Sequence, residues 1–284
     1  MMMLEKAVVA ALVCLYSCGA DAYSTSSAAN SKHNNDVLSR RSLGAQALRS
    51  LVAATGAATG AAAIVGHTPA AVASEGDEVD VYFGVGCFWH IQHEFVDAER
   101  TILSRDDNSL TSRTGYAGGS KVDSEGRVCY HNFQGIADYG KYGHGEVVGM
   151  SLPSSKVSDF AQVYFSLFNP KTKDRVDPQD RGGEYRSLIG IPQGQKSPLY
   201  EGIAKAAEDA GFKLELGKGN DPDTLGKKLV YVYDSTKFPF YQAEVYHQFH
   251  NDFQSPAYGK TYNNLANLAL DDGRIRGTGC PDRV

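Results

Sequence analysis

A single cysteine stands between a glycine turn and two large aromatic residues in the tetrapeptide Gly86-Cys87-Phe88-Trp89. The residue pattern predicts a strand before it and a helix after it, which puts Cys87 at the helix N-terminus. The positive end of a helix dipole favours the thiolate, the reactive form of cysteine. The two aromatic side chains provide an apolar wall for a small hydrophobic group. The tetrapeptide therefore predicts a nucleophile, with a buried, inert cysteine as the alternative.

Two other chemistries could use the same cysteine. Cys87, His90 and His93 follow one another at three-residue spacing and are candidate zinc ligands, although three such side chains do not converge well on one helix face. A histidine base beside Cys87 would instead make a cysteine hydrolase. Both remain alternatives at this point.

Four further motifs follow the tetrapeptide in order. They are Gly-Tyr-Ala-Gly-Gly at 115–119, Gly-His-Gly-Glu at 143–146, Asp-Arg-Gly-Gly-Glu-Tyr-Arg-Ser at 180–187 and Ala-Glu-Val-Tyr-His-Gln at 243–248. The ordered set resembles the A-type peptide methionine sulfoxide reductases, which act on the S epimer. The resemblance runs from about residue 79 to 253. It implies an α+β fold, a two-layer α/β sandwich with a small mixed sheet and a ferredoxin-like core.

The resemblance also implies a role for each polar residue of the site. Cys87 would attack the sulfoxide sulfur and become a sulfenic acid. Glu146 would protonate the sulfoxide oxygen, because burial raises the pKa of a carboxyl group toward neutral. Asp180 and Tyr185 would help to hold that oxygen and a water molecule.

The apolar part of the site and the partners follow from the same resemblance. Phe88 and Trp89 would enclose the methyl group on sulfur and so select the epimer. No cofactor and no metal are implied. The expected partners are oxidised proteins that carry methionine sulfoxide and a thioredoxin-like dithiol reductant, and the expected state is a monomer.

The chain departs from the family pattern at a tyrosine. Members carry a tyrosine four residues before the position of Cys129, where this chain has Glu125. The segment between Cys129 and the Gly-His-Gly-Glu motif is also longer than usual. It holds Tyr130, Tyr139 and Tyr142, any of which is a candidate to supply the missing hydroxyl.

The second departure concerns the cysteine that would resolve the sulfenic acid. Residues 255–262 contain no cysteine, whereas the family has one there in a Gly-Tyr-Cys context. Cys280, in a glycine-rich tail, is therefore the candidate to form a disulfide with Cys87. Cys129 is the second candidate.

The predicted elements must bring these motifs together. We predict strands over 79–85, 146–152, 187–191 and 229–233, and helices after Cys87 and over 157–168, 197–210 and 243–253. Residues 74–284 would form one catalytic domain that ends in a flexible tail from about residue 271. His144 and His247 are expected to be structural.

Residues 1–73 are typical of a targeting leader. A charged start and a short apolar run predict a signal peptide over about residues 1–22. The region from about 23 to 73 resembles a transit segment with a twin-arginine pair, Arg40-Arg41, and an Ala-x-Ala site at 71–73. This leader predicts import through the secretory route into a complex plastid, and on to the thylakoid lumen. Secretion is the alternative.

The overall charge excludes some partners. The 284 residues carry a formal net charge of −5 and no clustered basic run. An acidic chain of this kind is not expected to bind nucleic acid or an anionic membrane.

Overall fold

Strands and helices alternate along the part of the chain that the structure, a computed structural model, describes: residues 77–177, 179–252 and 257–281. The strands are β1 (Glu78–Gly84), β2 (Arg113–Ala117), β3 (Gly145–Pro153), β4 (Leu188–Ile191), β5 (Lys213–Leu216), β6 (Leu229–Asp234) and β7 (Tyr241–Gln242). The α-helices are α1 (Phe88–Leu103), α2 (Val157–Ser166), α3 (Tyr200–Ala210) and α4 (Asn264–Asp271). The predicted leader, residues 1–73, lies outside the described residues.

The strands form one mixed sheet in the order β5-β6-β4-β1-β3-β2-β7. Its four central strands pair antiparallel as β4-β1-β3-β2. Since α1 follows β1 and α2 follows β3, these elements form the β-α-β-β-α-β unit of a ferredoxin-like fold. The predicted fold class is therefore confirmed. Parallel strands β6 and β5 extend one edge of the unit, and β7 extends the other.

The start of α1 is fixed by the turn that precedes it. Gly86 has a φ of +70°, a conformation that glycine adopts readily, and Cys87 is extended at the N-cap position. The buried face of α1 then packs Phe88, Ile91 and Phe95 into the main core against the sheet. The strand, turn and helix predicted around Cys87 are all present, so the thiol lies where the end of the central strand β1 meets the N-terminus of α1.

The helix predicted over residues 243–253 is wrong. In residues 243–252, the part of this range that the structure describes, only a short 3₁₀ turn forms, Val245–His247. Ala243 N–H donates to the Thr114 carbonyl at 2.9 Å, and the Gln248 side chain bonds both backbone groups of Thr114. These bonds hold the segment beside β2. Pairing with the sheet edge thus overrides the helical spacing of its aromatic residues.

Much of the predicted flexible tail packs against the domain. Ile275 is buried in a small cluster with Phe249 and Leu265. The backbone of Arg276 exchanges two hydrogen bonds with the Gln242 side chain, at 2.7 and 3.3 Å. The tail therefore reaches back to the β7 edge of the sheet.

Among the residues that the structure describes, no helix combines the length and the apolar character that crossing a bilayer requires.

Candidate active site

The backbone around Cys87 is held by the loop at residues 180–185. Cys87 N–H donates to Asp180 Oδ2 at 2.9 Å, and Gly86 N–H donates to the Tyr185 carbonyl at 3.2 Å. A side chain at position 86 would place its Cβ 2.5 Å from that same Asp180 oxygen. Position 86 therefore requires glycine for two reasons: the positive φ of the turn, and the close approach of the Asp180 side chain. Asp180 and Tyr185, predicted site residues, are thus brought to Cys87.

Glu146 lies at the start of β3 and reaches the same helix turn. Its side chain is 2% exposed. Oε2 accepts a hydrogen bond from Phe88 N–H at 3.0 Å, and Oε1 accepts one from the Tyr139 hydroxyl at 3.1 Å. The amides of Cys87 and Phe88, at the start of α1, thus donate to two carboxyl groups from other elements, Asp180 and Glu146, which satisfies donors that a helix N-terminus leaves without an intrahelical partner.

Tyr139 is the tyrosine that the sequence could not single out. Of the three candidates, Tyr139 bonds the predicted acid directly. Burial and the nearby Glu146 raise the pKa of its phenol well above the ordinary value, so the hydroxyl keeps its proton. Glu125, at the family's tyrosine position, is exposed and lies 3.2 Å from Arg127. The longer segment after Cys129 therefore supplies a tyrosine hydroxyl to Glu146 from a different sequence position.

Phe88 and Trp89 are both part of the packed interior beside Cys87. Trp89 is 8% exposed and stacks on His250, with ring centroids 4.0 Å apart. Phe88 packs against Tyr130 and His247, at 6.4 and 5.4 Å between centroids. The two rings are thus fixed in position. Their predicted contact with the substrate methyl group stays a prediction.

A second buried carboxylate, Glu244, was not predicted as a site residue. It accepts a hydrogen bond from the Tyr116 hydroxyl and one from Tyr130 N–H, both at 2.8 Å. It comes from the Ala-Glu-Val-Tyr-His-Gln motif, which was the only signal for it in the sequence. Glu244 ties that motif to the segment after Cys129.

The cysteines pair in an unexpected way. Cys129 and Cys280 form a disulfide, with Cα atoms 5.6 Å apart, and Cys87 is a free thiol. Cys129 is fully buried, whereas Cys280 is half-buried. The two candidates for the resolving cysteine, Cys280 on the tail and Cys129, are thus bonded to each other.

The family model for peptide methionine sulfoxide reductase matches residues 79–269. The chain belongs to this family.

Individual relatives agree with the family match. The peptide methionine sulfoxide reductase MsrA of Trichodesmium erythraeum is 27% identical over 172 residues, covering 59% of this chain and 79% of the relative. The peptide methionine sulfoxide reductase of Saccharomyces cerevisiae is 29% identical over 177 residues, covering 61% and 82%. The reductase is of the A type, as its motifs predicted.

Among solved structures, reduced Mxr1 from Saccharomyces cerevisiae matches with 21% identity and a TM-score of 0.41. That match covers 65% of this chain and 90% of that chain.

The histidines of this reductase do not support the zinc or the hydrolase alternative. Among the described residues, the one cluster with ligand atoms close enough together for a metal ion is Cys129, Glu244 and Cys280, whose two cysteines share a disulfide; Cys87, His90 and His93 do not form such a cluster. His93 stacks on Tyr258, at 3.9 Å between centroids. Burial lowers the pKa of His247 to about 3, which makes it a poor base.

Two further histidines have structural surroundings. Burial lowers the pKa of His144 to about 4, and its ring nitrogens bond the backbone of Gly119 and Lys121. Desolvation lowers the pKa of His131, but hydrogen bonds to Asp138 and Glu184 outweigh it and raise that pKa to about 10. His131 is therefore a cation that links the longer segment to Glu184.

Arg186 connects three of the motifs in the reductase. Its side chain is fully buried and donates to the carbonyls of Gly118, Gly143 and Gly183 at 2.6–3.0 Å, and to the Tyr233 hydroxyl at 3.0 Å. Each glycine belongs to a different motif. One guanidinium thus sets the spacing of the loops that carry Glu146 and Tyr185.

Replacing Arg186 by methionine is expected to lower the free energy of unfolding by about 3–5 kcal/mol, because three buried carbonyls lose their donor. Urea unfolding under reducing conditions measures the loss. Arg276→Met, a change at an exposed arginine, is the matched control and should cost no more than about 0.5 kcal/mol. A loss below about 1 kcal/mol for Arg186→Met would contradict this role.

Proposed function

We propose that this enzyme reduces the S epimer of methionine sulfoxide, in proteins and as the free amino acid, with Cys87 as its nucleophile. The observation that carries the proposal is the first turn of α1. There the amide of Cys87 donates to Asp180 and the amide of Phe88 donates to Glu146. These two hydrogen bonds hold the buried acid Glu146 next to the helix turn that carries the thiol. Family membership supplies the reaction that this arrangement serves.

The chemistry is a transfer of oxygen from sulfur to sulfur. Cys87 Sγ attacks the sulfoxide sulfur while Glu146, in its protonated form, gives a proton to the oxygen. Before this step, the Tyr139 hydroxyl can turn so that its oxygen accepts a hydrogen bond from the protonated Glu146. The oxygen leaves the substrate for Cys87, so methionine is released and the cysteine becomes a sulfenic acid.

The remaining predicted residues position the substrate. Asp180 and Tyr185 lie on the loop that also holds the backbone at Cys87. From there they would bind the sulfoxide oxygen and a water molecule. Phe88 and Trp89 would enclose the methyl group, because their rings are fixed beside Cys87. A fixed apolar wall on one side and polar groups on the other distinguish the two epimers.

Reduction of the separated S and R sulfoxides tests this function. The purified protein is incubated with each epimer and dithiothreitol, and methionine is measured. We expect turnover of the S epimer alone. Equal turnover of both epimers would contradict the proposed pocket, and turnover of neither would contradict the function.

We also propose that Cys280 resolves the sulfenic acid. Its thiol would condense with oxidised Cys87, forming a disulfide and releasing water. Cys129 would then attack Cys280, freeing Cys87 and giving the Cys129–Cys280 disulfide. The position of Cys280 on the glycine-flanked tail supports its role as the carrier between the two other cysteines.

Single-turnover reactions with two serine variants test this order. After one turnover without reductant, Cys129→Ser is expected to hold a Cys87–Cys280 disulfide, located by peptide mapping. Cys280→Ser is the matched control and should hold Cys87 as sulfenic acid. A Cys87–Cys129 disulfide in Cys280→Ser would show that Cys129 resolves first instead.

The partners and compartment complete the proposal. The substrates would be oxidised proteins that the enzyme repairs as a monomer, and the electron donor would be a dithiol of the thioredoxin type. The predicted leader would bring the enzyme to a complex plastid. A fluorescent protein fused to residues 1–73 should enter that plastid. The double substitution Arg40→Lys with Arg41→Lys should prevent the fusion protein from reaching the thylakoid lumen. Secretion of the fusion protein would contradict this route.

A further inference from the structure

An open groove of about 830 Å³ lies between the tail and the β2–β7 edge of the sheet. We call it the arginine groove, because four of its lining residues are Arg113, Arg127, Arg274 and Arg276. Among the described residues that line it, Glu125 is the only acidic one. A cationic groove stands out on a chain whose formal net charge is −5.

Two of these arginines already have carboxylate partners. Arg127 pairs with Asp123, and Arg274 pairs with Asp272, each at 2.8 Å or less. Their charges are therefore largely compensated within the protein. The other two arginines must give the groove its net positive charge.

Arg113 and Arg276 form no ion pair within 4.0 Å among the described residues. The Arg113 guanidinium lies 5.6 Å from the centre of the Phe240 ring. Burial lowers the pKa of Arg113, Asp80 opposes that shift, and the charge of Arg276 adds to it. Asp80 and Glu99 act on Arg113 from beyond ion-pair distance. Within the described part of the chain, neither Arg113 nor Arg276 therefore has a carboxylate in direct contact, and a partner that supplies carboxylates would relieve their mutual repulsion.

The groove adjoins the Cys129–Cys280 disulfide. Val128 lines it, and the Val128 carbonyl lies 3.6 Å from Cys280 Sγ. Arg127 also donates to the Gly279 carbonyl at 3.1 Å. Because Cys129 is fully buried and Cys280 is half-buried, an external thiolate can reach only Cys280 without opening the core.

Thiol–disulfide exchange at this position favours a dithiol. An incoming thiolate bonds to Cys280 Sγ, and the bond to Cys129 breaks, which leaves Cys129 as a thiolate. Cys129 stays close by and can return the attack. A second thiol in the same partner molecule outcompetes it by attacking the partner's own sulfur, which frees Cys280 and leaves the partner as a disulfide.

We propose that the arginine groove docks an acidic dithiol protein, which reduces the disulfide by attack at Cys280. This inference rests on the proposed function and adds the surface and the charge of the partner. Arg113 and Arg276 are positioning residues here, since they contact the partner's surface and not the reacting sulfur atoms.

The test compares two electron donors on the full chain. The probe is a thioredoxin of net negative charge, recycled by its reductase, and the reference donor is dithiothreitol, which carries no charge. In Arg113→Gln with Arg276→Gln, we expect the KM for thioredoxin to rise roughly fivefold and to depend less on salt. Turnover with dithiothreitol should stay at the wild-type value.

Matched variants control for charge and folding. Lys205→Gln with Lys213→Gln removes two exposed charges outside the groove and should leave the KM for thioredoxin unchanged. Arg276→Gln alone leaves the half-buried Arg113 in place and should raise that KM about twofold.

The two proposals fail in different ways. An unchanged thioredoxin KM in both groove variants, with normal dithiothreitol turnover, would overturn the docking site alone. Absence of dithiothreitol turnover in the wild type would overturn the proposed function.

Discussion

Serine at position 87 is expected to lower reduction of the S sulfoxide by at least about 10³-fold, because a serine hydroxyl is not ionised near neutral pH and is a far weaker nucleophile than a thiolate. The backbone contacts of this position need no sulfur, since Asp180 bonds the amide of residue 87. The variant should therefore fold normally. Methionine formed per enzyme without reductant measures the loss directly.

Cys129→Ser is the control for this result. It keeps Cys87 and should still form one methionine per enzyme in a single turnover. A burst of methionine from Cys87→Ser would contradict the assignment of the nucleophile. Loss of the burst from Cys129→Ser as well would point to a folding effect of removing the disulfide.

The second large effect is expected from Glu146→Gln, which should lower the rate of the single turnover by about 10²–10⁴-fold, because the amide cannot give a proton to the leaving oxygen. Glutamine preserves the shape of the site. Its carbonyl can accept from Phe88 N–H, and its amide can donate to the Tyr139 oxygen. Rapid-quench measurement of methionine formation separates this step from recycling.

Glu244→Gln is a matched control for that substitution. Glu244 is as buried as Glu146 and also accepts hydrogen bonds from a tyrosine hydroxyl and a backbone amide. The single-turnover rate of Glu244→Gln should stay within about threefold of the wild-type rate, since Glu244 has no role in proton transfer in the proposed mechanism. Equal losses in the two variants would mean that Glu146 acts through packing and not as the acid.

Local pattern was enough to predict the backbone elements that carry Cys87 and Glu146. The strand and helix around Cys87 each show their own periodicity, and Gly86 marks the turn between them. Glu146 follows a glycine at the start of a strand, so its place on the sheet was also readable. The strand, turn and helix depend mainly on neighbours in sequence, which is why they could be predicted, whereas the roles of Cys87 and Glu146 stay predictions.

Long-range contacts were not predictable in the same way. Cys129 and Cys280 are 151 residues apart, and no local feature of either indicates the other. Tyr139 belongs to a segment for which the family gave no template. The segment after Tyr241 has helical spacing, yet its backbone pairs with β2. In each case the structure depends on a partner distant in sequence.

The Cys129–Cys280 disulfide also affects the durability of the protein. It closes a covalent ring over most of the catalytic domain, and a ring of this size removes conformational entropy from the unfolded chain worth about 5 kcal/mol in the loop-closure model. Each round of catalysis would therefore leave the enzyme in its most heat-resistant form. Reduction of the disulfide restores activity and at the same time lowers the free energy of unfolding. Comparing the unfolding temperatures of the oxidised and reduced proteins would measure this difference.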